Sequence, residues 1–230
     1  MAANDPVRAA IAKARSLRSQ GKTAEAVSVL QRAVREGPYD ENLHYMLGHM
    51  MERDASPDAM IAFFSQEVGR DRKPQTSQYF WAVGLERKGD VEGALAHLRR
   101  ALEIDPAHEM SQRRWGLLRE RQGKLEEALE HLVEATRIHP EYKAALQDAA
   151  RVAKRLGRDA QAAEYEKRAA SANPNTPRQY VYWARYLHQH GRNREALAEV
   201  ERMLALQPND AEALELHGQI VAAMTSRPDK

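Results

Sequence analysis

Residues 89–106 read GDVEGALAHLRRALEIDP, and residues 123–140 read GKLEEALEHLVEATRIHP. Either stretch alone is an ordinary amphipathic helix with a stop behind it: Leu95, Leu98, Ala101 and Leu102 recur at helical spacing, and Pro106 follows. Together they are one helix written twice, with Gly, Ala, Leu, Ala and Pro in the same places and an interval of 34 residues. Extending the alignment outward gives four ladders. Glycines stand at Gly21, Gly89, Gly123, Gly157 and Gly191, and alanines at Ala26, Ala94, Ala128, Ala162 and Ala196. Prolines stand at Pro38, Pro106, Pro140, Pro174 and Pro208, and Trp81, Trp115 and Trp183 share an earlier place. A fixed period of this length marks tandem supersecondary units.

Apolar residues recur at helical spacing on both sides of each glycine, so each unit reads as two helices. The glycine ends the first helix by taking a positive φ, and the closing proline, lacking an N–H, suits the start of the next. DPV at residues 5–7 and SPD at 56–58 place a capping side chain before Pro6 and Pro57, which predicts helix starts there. The repeated alanine in the second helix predicts a close helix–helix approach, where a bulkier side chain overpacks.

Composition narrows the function. The chain has 230 residues, 43% of them hydrophobic, enough for a sizeable core. Thirty-five Lys and Arg nearly balance 33 Asp and Glu, and a formal charge of +2 gives no general affinity for nucleic acid or anionic lipid. Cysteine is absent, which removes disulfides, thiol catalysis and cysteine zinc sites. Asp5 and Pro6 stand where a signal peptide has its apolar core, and no apolar run of about 18 residues occurs, so no direct membrane insertion is expected. A cytoplasmic location is the expectation, and a periplasmic one if a leader was removed.

The chemistry-bearing motifs are weak. SLRSQGKT at residues 16–23 imitates a phosphate-binding loop, but Ser16 replaces its first glycine and the preceding residues read as helix where that motif has a strand. The pair His188 and His190 lacks a third metal ligand. His97 and His131 share one repeat position, which marks a packing or surface slot. HExxH and GxSxG are absent, so neither catalysis, cofactor nor metal is expected.

The pattern resembles the tetratricopeptide repeat (TPR), a helix-turn-helix unit of the same period. Residues 109–142 carry it through Gly116, Gly123, Ala128, Leu132, Ala135 and Pro140, although Trp115 sits three places later than the family's Trp. The resemblance runs from residue 7 to about 224. It implies an all-α, right-handed α-solenoid of about six units, near 7–40, 41–74, 75–108, 109–142, 143–176 and 177–210. A capping helix over 211–224 completes a single domain, with a lead at 1–6 and a flexible tail at 225–230. The second unit departs from the pattern with Ala55 at the turn, Ala59 one place early, and Pro74 delayed by the insertion GRDRK at 69–73, read as a loop extension.

First helices of the family line a concave face. The resemblance therefore implies a partner-binding groove made of Tyr45, Met46, His49, Tyr79, Phe80, Arg113, Arg114, Leu117, Arg121, Asp148, Arg151, Arg155, Tyr182 and Arg185, aromatic first and arginine-rich after. Arginine suits carboxylates, and tyrosine supplies rigid contact area. The expected function is a non-catalytic adaptor or scaffold whose groove holds a segment of another protein carrying acidic and apolar residues. The carboxylate clamp by which some relatives hold chaperone tails is not matched in any three consecutive units. One alternative is a pilotin of bacterial type IV pilus assembly, which also has six such repeats but needs an N-terminal Cys for its lipid. Another is single-stranded RNA on an Arg/Tyr groove. It is disfavoured because units 75–108 and 109–142 each carry one more acidic than basic residue. The oligomeric state is left open.

Overall fold

The structure, a computed structural model, describes residues 6–37, 40–70, 74–172, 178–189 and 191–225. Among them are thirteen α-helices and no strand: α1 (Pro6–Ser19), α2 (Thr23–Glu36), α3 (Glu41–Asp54), α4 (Pro57–Glu67), α5 (Pro74–Lys88), α6 (Val91–Ile104), α7 (Glu109–Arg121), α8 (Leu125–Ile138), α9 (Lys143–Arg155), α10 (Asp159–Ser171), α11 (Arg178–Gln189), α12 (Asn193–Leu206) and α13 (Ala211–Thr225). The fold is all-α, in consecutive helix pairs with α13 after the sixth, except that α3 packs on α2 and α5 more than on α4, and α4 packs on α5. Pro38, Pro174 and His190, and residues 71–73 of the insertion, lie outside the described residues, as do the side chains of Tyr182 and Trp183.

The turn inside a unit is built by backbone geometry. Gly123 has φ 75°, its N–H bonds to the carbonyl of Glu120 at 3.0 Å, and Lys124 N donates to Arg119 O at 3.0 Å. Two carbonyls of the last turn are thereby satisfied by a left-handed residue that only glycine adopts without strain. Gly21, Gly89, Gly157 and Gly191 repeat the geometry, and no non-glycine residue among those described has positive φ. The second unit solves the turn differently. Ala55 is extended at φ −104°, and the Ser56 hydroxyl accepts from Ala59 N at 3.2 Å with Pro57 opening α4.

Two readings change. Pro106, Pro140 and Pro208 lie three residues ahead of the next helix, immediately after the C-caps Asp105, His139 and Gln207. All three C-caps have left the helical region, with ψ between 84° and 94°, as a following proline favours. These prolines stop the preceding helix; they do not open the next. In the second unit Ala59 is exposed and Met60 is fully buried, so Met60 occupies the alanine slot in unbroken register.

By its contacts the chain divides into two compact units, Met1–Pro106 and Ala107–Lys230, where the sequence reading has one domain. In the first, Leu30, Leu43, Leu47, Met60, Phe64 and Phe80 are fully buried. In the second, one core joins α8, α9 and α10 through Leu132, Leu146 and Tyr165, and another joins α11, α12 and α13 through Val181, Met203 and Ile220. Ala26, Ala94, Ala128 and Ala196 of the ladder are completely buried and Ala162 is nearly so. A Cβ placed on Gly116 would lie 2.9 Å from the carbonyl oxygen of Ala128, which is how closely α7 and α8 approach. No helix among the described residues is long and apolar enough to cross a membrane.

Candidate functional site

The aromatic residues expected in a groove lie in the Met1–Pro106 unit, and most are core. Phe80 is fully buried and Tyr79 is 3% exposed. Phe80 stacks on Phe64 at 5.1 Å between centroids and meets Tyr79, His49 and Tyr45 edge-on at 4.9, 5.3 and 6.1 Å. The cause is Gly48, where a Cβ would stand within 2.4 Å of three Phe80 ring carbons. Without a side chain there, the ring lies directly on α3, and edge and offset contacts of this kind hold an aromatic core together. Among the described residues of the predicted aromatic stretch, exposed His49 and half-buried Tyr45 and Met46 reach solvent, His49 with its Nδ1 3.3 Å from Glu52.

The arginine-rich residues of the other unit do come together, around two carboxylates. Arg113 Nε donates to Asp148 Oδ2 at 2.6 Å, and Arg151 Nη1 donates to Asp148 Oδ1 at 2.7 Å. Arg151 also grips Glu120 with both edges, Nε to Oε1 at 3.0 Å and Nη2 to Oε2 at 2.7 Å, and Arg155 adds 2.9 Å to Oε1. Asp148 and Glu120 expose only 9% and 10% of their side chains, whereas Arg151 and Arg155 are about half exposed. These are charge-assisted, partly bidentate bonds, the strong class. Their electrostatic marks agree: hydrogen bonding to Arg151 holds the Glu120 carboxyl below its usual range, and the bond to Glu120 raises Arg151 in turn. Burial works against the Arg113 charge, but Tyr142 and Asp148 outweigh it and its pKa rises.

Arg113 and Arg151, expected to line a groove, thus also bind α7 to α9. Glu120 was missed. It lies three residues after Leu117, on the helix face that already supplied Arg113 and Leu117, and the arginines there signalled a need for a buried counter-charge. Arg114 and Leu117 are half-buried and Arg121 is exposed. Arg185 on α11 bonds Glu212 of α13 at 2.6 Å.

His97 and His131 occupy a packing slot. His97 stacks on Trp81 at 3.8 Å with Nδ1 2.7 Å from Gln78 Oε1, and His131 stacks on Trp115 at 4.9 Å with Nδ1 2.7 Å from Gln112 Oε1. An amide oxygen only accepts, so Nδ1 carries the proton. Burial, the largest cause in each case, lowers the pKa of His97, His131 and also His139. Each of the three therefore binds its proton less readily folded than unfolded. Their stabilising contribution is complete above the unfolded histidine value of about 6.5 and is lost as pH falls below it toward the folded values. Thermal unfolding midpoints should accordingly drop between about pH 7.5 and about pH 5.5, and ring-proton NMR titrations of His97 and His131 should show transitions below the unfolded value. Among the described residues no group of three or more His, Asp or Glu could hold a metal ion.

Comparison with known proteins agrees with the all-α repeat fold. Solved structures with the same helical architecture include MamA from Desulfovibrio magneticus RS-1, 18% identical over 74% of this chain and 97% of that one at a TM-score of 0.52. Pseudomonas aeruginosa pilF is 16% identical over 94% and 98%, at 0.58. Cut9, from a crystal structure of the APC/C hetero-tetramer Cut9-Hcn1, is 14% identical over 95% of this chain but 43% of that one, at 0.58. At such identities the likeness is one of fold. No curated protein sequence matches the chain. Three family models, each described as tetratricopeptide repeat, match residues 7–50 and 177–220, residues 113–177, and residues 85–108. With left-handed glycines, buried alanines and paired helices at the same period, the chain belongs to the tetratricopeptide-repeat family.

Proposed function

We propose that the chain is a non-catalytic scaffold for protein–protein interaction, and that the wall formed by α7 and α9 takes an acidic, partly apolar segment of another protein. Family membership supports the first statement. The second rests on one observation: Arg151 and Arg155 are about half exposed while their guanidiniums are anchored on buried Glu120. An arginine already fixed by a carboxylate loses little freedom when it binds another, so the wall is pre-organised. Arg151 and Arg155 meet on Glu120 of α7, the helix that also carries half-buried Leu117, so an acidic segment bound there has an apolar side chain on the same helix. Tyr45, Met46 and His49 offer the other unit a smaller apolar surface of its own.

A displayed library of short peptides selected against the 230-residue chain tests this. Enrichment of Asp and Glu interleaved with Leu or Phe is the expected result, with affinity falling as salt rises. The variant Arg114→Gln/Arg155→Gln leaves the bidentate Arg151–Glu120 pair in place and should bind the selected peptides at least about tenfold more weakly. Enrichment of basic or uncharged peptides, or equal binding by the variant, overturns the assignment.

A further inference from the structure

The seam between the two helices of a unit is filled differently along the chain. In α5/α6 it holds Gln78, Trp81 and His97; the residues 68 places earlier, in α1/α2, are Ala10, Lys13 and Val29. Three large side chains are replaced by two short ones and an exposed lysine, and the seam is an open groove of about 490 Å³ with an apolar floor that includes Ala33. Ala33 is only half-buried, whereas its counterparts Ala101 and Ala135 are fully buried. Lys13 and Arg32 line the groove beside Glu36, and α1 carries Arg8, Lys13, Arg15 and Arg18 with no acidic residue.

Helix α13 shows the complementary surface. By the same period Leu214, Gly218 and Val221 correspond to Gln78, Ala82 and Leu85, the face that α5 turns toward α6. Among the described residues no second helix covers that face in α13. Leu214 and Val221 are 49% and 38% exposed, and a Cβ on Gly218 would meet nothing within 4 Å. This helix carries Glu212 and Glu215 and neither Lys nor Arg. An apolar row on an acidic helix and an apolar trough on a basic helix pair are matched in both hydrophobicity and charge.

We propose that α13 of one copy seats Leu214 and Val221 in the α1/α2 groove of a second copy, with Glu215 facing Lys13 and Arg32. The two surfaces are different, so the contact is heterologous: each copy has one groove and one α13 to offer, and association proceeds beyond a dimer into a ring or a filament. It depends on concentration and weakens with salt.

Sedimentation velocity of the 230-residue chain over a concentration series tests this, with circular dichroism as the control for folding. The wild type should sediment progressively faster with concentration at low salt. A groove variant, Lys13→Glu/Arg32→Glu, and a helix variant, Leu214→Lys/Val221→Lys, should each remain monomeric. Mixed in equal amounts they should form a one-to-one complex and nothing larger, because each supplies the surface the other lacks. A third variant, Ala10→Gln/Lys13→Trp/Val29→His, copies the filled seam of α5/α6 into α1/α2. It keeps the question open to refutation if the charge-reversed groove misfolds, and it should also behave as a groove-blocked partner. A wild type that stays monomeric at all concentrations overturns the proposal, as does a mixture that fails to associate. Self-association of the groove variants as strong as the wild type would instead show α13 pairing with α13, and a complex formed only with a different protein would leave the second copy without a role.

Discussion

The variant Arg113→Glu/Arg151→Glu is expected to unfold the Ala107–Lys230 unit at urea concentrations where the wild type is still fully helical. Asp148 would lose bonds of 2.6 and 2.7 Å, and Glu120 would lose its bidentate partner. Two new carboxylates would stand beside two whose side chains are about nine-tenths buried. Leaving one buried charge uncompensated costs about 3–5 kcal/mol. Arg151 is half exposed, so solvent screening places the net loss near the lower end, ~3 kcal/mol, still a large share of the ~5–15 kcal/mol that holds a domain folded. Removing the carboxylates as well, with Glu120→Gln and Asp148→Asn, should recover part of the loss, since the repulsion then disappears. Arg137→Gln, which breaks an exposed pair with Glu134, should shift stability by less than about 1 kcal/mol. An urea midpoint for the double variant equal to that of Arg137→Gln would show that the ladder carries no structural load.

The second large effect separates three glycines that share one place in the repeat. Gly48→Ala should destabilise the Met1–Pro106 unit: the new Cβ would lie within 2.4 Å of the buried Phe80 ring, which is itself wedged against Phe64. Gly116→Ala should also destabilise, since its Cβ would meet the Ala128 carbonyl oxygen at 2.9 Å and the Leu132 Cγ at 2.7 Å, and a helix backbone cannot step aside cheaply. Overpacking of this kind costs about 1–3 kcal/mol. Gly218→Ala has open space for its Cβ and should stabilise α13 by about 0.5–1 kcal/mol, the ordinary gain in a helix interior. Chemical denaturation of the three variants reads the signs directly, and a stabilised Gly48→Ala would mean that the ring is far less tightly held than its contacts indicate.

What could be read in advance divides along a physical line. Gly123 and Ala128 were legible because backbone dihedral and helix separation at those positions are nearly independent of the rest of the chain. Met60 was not, since a flexible methionine substitutes for alanine only if the surrounding packing is known, and an alanine one place away was the more obvious candidate. The repeat register puts Tyr79, Phe80, Arg113 and Arg151 on first helices, but register and exposure are different quantities. Phe80 was lost to the core through Gly48, 32 residues earlier. Arg113 was tied to Asp148, 35 residues later. Such pairings across two units carry no signal in the period of one helix, and a charge or an aromatic residue on an inward face reads the same whether its partner is another protein or the next repeat.

The pairing of helices with a chain neighbour, α5 with α6, α7 with α8 and α9 with α10, from which α3 and α4 depart, has a kinetic consequence. Few long loops must close before native contacts begin to form, so the entropic barrier to forming a single helix pair is expected to be low. Nucleation can begin at any glycine turn and spread to either side. Amide exchange should accordingly follow the order of the repeats, slowest where a helix pair has neighbours on both sides, with protection graded along the chain instead of lost in a single step.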